Sequence, residues 1–139
     1  MRARVARSEE ERMEHLQNAV DLVEGPYLED VQGEWMEEQR ERLRQVHLTA
    51  TEELAALYLD RNRIEPVIAV CTKGLQMDPY REGLYRLAMR AHAARGDRAA
   101  IARLFHACQN ALHRLGYAPS DETRNLYRQL STLGEGRRA

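Results

Sequence analysis

Between Leu54 and Leu130 a pattern of paired helices occurs twice, its positions repeating after 34 residues. Sliding the chain by that interval sets Asn62 on Gly96, Val67 on Ile101, Val70 on Leu104 and Cys71 on Phe105. On the helix before the turn it sets Leu54 on Ala88, Ala55 on Met89 and Tyr58 on His92. Apolar positions meet apolar positions on both helices, with a polar or glycine turn between them. A period of this length is that of a helix–turn–helix unit in a stacked array, where each unit buries its apolar face against its neighbours. Such arrays offer extended surfaces to other macromolecules, which directs attention to binding before catalysis. Two units are fewer than the three usual in a free-standing array, so the flanking helices are expected to act as caps. Unrelated helices in a plain bundle are the competing reading.

The rest of the chain fits one domain. At 139 residues it can bury roughly two-thirds of its unfolded surface without a disulfide or metal. Hydrophobic residues at 43% and charged residues at 31% are ordinary for a globular protein. No apolar run approaches the roughly 20 residues of a membrane span, and residues 1–12 hold no apolar core of a secretory signal. A cytoplasmic location without membrane contact is the expectation. Of the 21 basic residues only Lys73 is a lysine. That bias suits a surface laced with bidentate ion pairs, and a GC-rich genome would produce it equally well. The net charge of −1, with Arg40, Arg42 and Arg44 set among Glu37, Glu38 and Glu41, gives no basic stripe for DNA. Cys71 and Cys108 are too few and too distant for a zinc motif and fall on apolar helical positions, as buried thiols do.

Local signals divide the chain into helices. Residues 1–7 read as a flexible start, and Ser8 with Glu11 as a capping box ahead of the stripe Leu16, Ala19, Val20, Val23. Gly25-Pro26 stops that helix, and Tyr27-Leu28 is expected to dock on the core. Gly33 to Leu59 predicts one long helix, with Trp35, Leu43, Val46, Leu54, Leu57 and Tyr58 on its apolar side and Glu38–Arg42 as a favourable surface pair. Trp35 is expected to bury its ring between the first two helices. Pro66 lies in the first turn of the next helix, Asp78 is expected to cap the one after with Pro79 at its first position, and Asp97 to cap a further one. Gly116 closes that helix and Pro119-Ser120 opens the last. The expected fold is all-α: a tetratricopeptide-like helical repeat of about six helices in right-handed stacked pairs, one domain over 8–133, with a flexible tail at 134–139.

Several of these signals stand in a telling order: Trp35-x4-Arg40-x2-Leu43, Met77-Asp78-Pro79-Tyr80-Arg81-Glu82, Gly96-Asp97-Arg98, and Leu115-Gly116-x2-Pro119-Ser120-x-Glu122-Thr123. The set resembles the bacterial transcriptional activator domain, the tetratricopeptide-like half of the antibiotic-regulatory activators, over about residues 13–133; Tyr27-Leu28-Glu29-Asp30 is similar to that family's segment before its long helix. Phe105 and Asn62 depart from it, where Tyr and Gly are common. The resemblance implies a regulatory or oligomerisation domain of a transcriptional regulator, normally behind a winged-helix DNA-binding domain. Nothing before residue 8 could hold such a domain, so an excised piece or a stand-alone relative is expected. Implied partners are a second copy as a dimer, or a neighbouring DNA-binding domain and the transcription machinery, with DNA reached only through a domain outside this chain.

The residues expected to make contacts are Tyr58, Tyr85, Met89 and His92, on the concave face of the repeat pairs. Arg61, Asn62, Arg86 and Arg90 join them if the chain is instead a free-standing adaptor for acidic peptide termini. No catalytic chemistry, cofactor or metal is expected. The histidines, His15, His47, His92, His106 and His113, include no pair at the i,i+3 or i,i+4 spacing of a helical metal site, and no glycine-rich phosphate loop or nucleophile elbow occurs.

Overall fold

The computed structural model describes residues 2–23 and 34–136. They form six helices: α1 (Arg2–Val23), α2 (Glu34–Asp60), α3 (Ile64–Met77), α4 (Glu82–Ala94), α5 (Arg98–His113) and α6 (Asp121–Gly136). No strand occurs among the described residues. Each helix from α1 to α6 packs on the next, and α4 also touches α2 and α6. Contact between successive and alternate helices is the adjacency of a helical repeat.

The two units share their turn geometry. Asn62 (φ 58°) and Gly96 (φ 71°) are both left-handed. The Arg63 and Asp97 N–H groups donate to the Tyr58 and His92 carbonyls at 2.9 Å each, and the Asn62 and Gly96 N–H groups to Leu59 and Ala93 at 2.9 and 3.0 Å. Both of these bonds recur 34 residues on, closing orphan carbonyls with a left-handed C-terminal cap. Gly116 (φ 81°) ends α5 the same way. Past the second turn, Asp97 caps α5 by accepting the Ala100 N–H at 3.1 Å.

Paired positions also share burial. Val67, Ile101, Cys71, Phe105, Ala55 and Met89 are all buried. Leu48, Ala55, Val67, Cys71, Leu84 and Ala91 form the core of α2, α3 and α4. Met89, Ile101, Phe105 and Leu126 continue it into α6, where the Tyr127 ring stacks on Phe105 at 4.2 Å. Gly74 lets α3 approach closely, since a Cβ there would lie 2.6 Å from Leu84 Cδ1 and 3.1 Å from Thr51 Cγ2.

Three local expectations are corrected. Helix α1 begins at Arg2, so Ser8 lies within the helix and not at its start. Asp78 ends α3 instead of starting α4: its N–H donates to the Gly74 carbonyl at 2.9 Å and its carboxylate accepts the Tyr80 N–H at 3.0 Å. That local turn occupies the side chain that would have capped α4, and α4 starts only at Glu82, with Arg81 at its cap position. Trp35 is 66% exposed and Val46 59%, with Leu43 at 37%. The buried side of α2 is instead His47, Leu48, Thr51, Leu54 and Ala55. Two polar residues belong to that stripe, and Thr51 satisfies its hydroxyl on its own helix at the His47 carbonyl, 2.8 Å away. Apolar spacing therefore misplaced Trp35, Leu43 and Val46 in the first part of the helix, while Leu54 and Tyr58 lie on the core side as expected. Gly25-Pro26 and Tyr27-Leu28 lie outside the described residues.

Candidate interaction surface

The ordered motif residues meet along the row α2–α4–α6. Arg81 donates from Nε to Glu52 at 2.6 Å, and from its two terminal nitrogens to Gln45 and Thr49 at 3.1 and 3.2 Å. Gly83 admits that carboxylate, for a Cβ there would lie 2.8 Å from it. The next residue, Glu82, accepts the Ser120 N–H at 2.8 Å and the Thr123 hydroxyl at 2.7 Å. Arg86 donates to Thr123 Oγ1 at 2.9 Å and approaches Glu122 at 3.7 Å. Ser120 in turn accepts the Thr123 N–H at 3.3 Å, capping α6. Partial burial works to raise the Glu82 pKa, but the Ser120 and Thr123 hydrogen bonds and the Arg86 charge outweigh it, so the carboxylate titrates below its ordinary value. These residues fasten α6 to α4 as a clasp. Tyr85 braces the preceding turn by donating to the Pro79 carbonyl at 2.7 Å.

The residues expected to make contacts do not form one patch. Tyr85 and Met89 are buried, at 4% and 0% exposure, and point into the core. With His92 they fall at i, i+4 and i+7, a spacing that a core stripe and a groove face share. Arg86 belongs to the clasp, and Arg90 is exposed. Tyr58, Arg61 and Asn62 are brought together at the α2–α3 turn. There Arg61 pairs with Glu9 at 3.0 Å and Glu10 at 3.5 Å of α1, and the Arg63 guanidinium lies 5.0 Å from the Tyr58 ring centre. His92 is half-buried with Nδ1 3.9 Å from Asp97. Desolvation lowers its pKa, helped by Arg95 and Arg103 and only partly countered by Asp97 and Glu65. A cavity of about 230 Å³ opens between α1, α2 and α3, with Val20, His47, Thr51, Tyr58 and Lys73 in its walls.

The structure exposes a surface that apolar spacing concealed. Glu82, the first residue of α4, corresponds to Leu48, so Glu34–His47 has no counterpart in the second unit. That segment extends α2 past the repeat as an arm of roughly 20 Å. Trp35, Leu43 and Val46 are exposed on it. Successive helices run antiparallel, His47 of α2 meeting Met77 at the end of α3, so the α3–α4 and α5–α6 turns lie at the end of the molecule from which the arm extends. They carry the other large exposed apolar side chains among the described residues, Tyr80, Leu115 and Tyr117. The opposite end holds the polar turns Arg61-Asn62-Arg63 and Arg95-Gly96-Asp97. Comparing the lengths of α2 and α4 in the 34-residue alignment is the signal that would have found the arm.

Both thiols are held protonated at neutral pH. Burial pushes the Cys71 and Cys108 thiols up to about 12 and about 11, with Glu52 and Glu82 adding to the effect. Among the described residues no three His, Cys, Asp or Glu side chains gather as a metal site, and no helix is long and apolar enough to cross a membrane.

Six helices in a repeat, with the last clasped to α4, define an all-α helical-repeat scaffold. The family model for the bacterial transcriptional activator domain matches residues 1–131, and the chain belongs to that family. It is thus a region of a transcriptional-activator type of regulator. No curated protein and no solved structure matches it significantly.

Proposed function

We propose that this chain is the regulatory, protein-interaction half of a bacterial transcriptional regulator, acting in the cytoplasm with a winged-helix DNA-binding domain. The family match over residues 1–131 carries this reading. The net charge of −1 and the interleaved Arg and Glu of α2 accord with DNA being contacted by the other domain. The chain's part is contact and relay, without catalysis. A free-standing groove for acidic peptide termini is less well supported, since Arg61 and Arg86 are engaged by Glu9, Glu10, Thr123 and Glu122 of the chain itself.

A promoter reporter with the whole gene product, intact or lacking residues 8–133, tests the reading. Removal is expected to abolish activation, while the DNA-binding domain still retards promoter DNA in a gel and this chain alone does not. Activation indifferent to the deletion, or retardation by this chain alone, would overturn it.

A further inference from the structure

We propose that the arm of α2 is the contact for a second copy of this chain, the two arms lying antiparallel about a two-fold axis near Arg40. The inference rests on the protein-interaction reading above and supplies its surface and partner. Trp35, Glu38, Arg42 and Val46 fall at i, i+3, i+7 and i+11, one face of the helix, and all four are exposed. A two-fold contact sets the same patch on itself, so each residue must suit the one equidistant across the axis. Centred near Arg40, the antiparallel arrangement lays Trp35 against Val46 of the second copy and Glu38 against its Arg42, with both contacts made twice. A parallel arrangement would set Glu38 on Glu38 and Arg42 on Arg42, which repel. The arm's neighbouring charges are satisfied along the helix, Arg40 with Glu37 at 3.0 Å and Arg44 with Glu41 at 3.4 Å. The expected Glu38–Arg42 pair does not form within the chain, and both side chains are exposed.

The placement of α1 argues against a preceding domain as the occupant. Glu9 and Glu10 sit against Arg61, just past the far end of α2, so the start of α1 lies at the opposite end of the molecule. A domain joined ahead of Arg2 would begin on the order of 40 Å from Trp35, the length of α2. Tyr80, Leu115 and Tyr117 are exposed on the turns at the same end of the molecule.

Sedimentation equilibrium of the whole chain over a wide concentration range tests the pairing. The wild type is expected to show a monomer–dimer equilibrium. Trp35→Ala with Val46→Glu is expected to weaken it on the order of tenfold or more, as loss of a central aromatic anchor does. Glu38→Arg and Arg42→Glu should each weaken it several-fold, and the two together should restore it, an outcome peculiar to the antiparallel register. All four side chains are exposed, and circular dichroism checks that each variant is folded. A wild type that stays monomeric, a dimer indifferent to the Trp35/Val46 change, or a charge swap that fails to restore association would each overturn the proposal. A monomer that holds a different protein on the arm overturns it as well. A monomeric wild type leaves the reporter test untouched, and a reporter indifferent to the deletion leaves a measured dimer standing, so the two readings fail separately.

Discussion

Asn62 and Gly96 occupy the same left-handed turn with different chemistry, and the comparison isolates the backbone cost of the turn. A residue with a Cβ loses about 1–2 kcal/mol in this region, Asn less because its side chain tolerates it. Gly96→Ala is therefore expected to lower stability by about 1 kcal/mol, since no atom within 4 Å would obstruct the new methyl and only the backbone is strained. Asn62→Gly should leave stability level or raise it slightly; urea melts of both variants check the pair. The thiols give a second residue-scale expectation. With Cys71 and Cys108 buried and their pKa values near 12 and 11, a thiol reagent at neutral pH should label neither until the chain is unfolded. Burial of both cysteines was legible from their apolar registers. The exposure of Trp35 was not, because the buried stripe of α2 runs through His47 and Thr51, and polar residues that find partners inside leave no mark in apolar periodicity.

At the level of elements, α6 depends on its clasp. It packs on α4 and α5, and Glu82 holds both Ser120 and Thr123 at the point where it starts. Glu82→Ala leaves the Ser120 N–H and the Thr123 hydroxyl without their acceptor and removes the negative charge near Arg86, and truncating one side of such a network costs about 1–3 kcal/mol. Hydrogen exchange should accelerate across α6 while α2 and α3 keep their protection; uniform acceleration through the chain would show that α6 is not a separable unit. Helix number and most helix ends were legible, since Gly96, Gly116, Asp97 and Ser120 act where their chemistry suggested. The clasp was not, although Glu82 and Thr123 both stood in the ordered motif. Their spacing along the chain gives no hint that they meet, and Asp78, with a side chain suited to capping α4, was claimed by its own turn.

For the whole molecule, acidification should destabilise in two stages. The His92 pKa is lower folded than its ordinary 6.5, so below that pH the unfolded chain takes up the proton more readily and stability falls. The Glu82 pKa lies below its ordinary 4.5, so its contribution is complete above that value and is lost as pH falls through the depressed one. Melting temperatures between pH 8 and about 2 should show both stages, and His92→Tyr, which copies Tyr58 of the first unit, should flatten the upper one. The matched turns have a further consequence, for modularity. Excising Asn62–Arg95 would join Arg61 to Gly96, two points whose backbone geometry is already equivalent, and would shorten the protein by one whole unit. The splice itself would close cleanly, yet Leu48 and Glu52 would then stand where Glu82 and Arg86 had stood. The final helix would lose both its carboxylate acceptor and its guanidinium. What fixes the number of units in this protein is thus the lock on its last helix, and the hinges between units leave that number open.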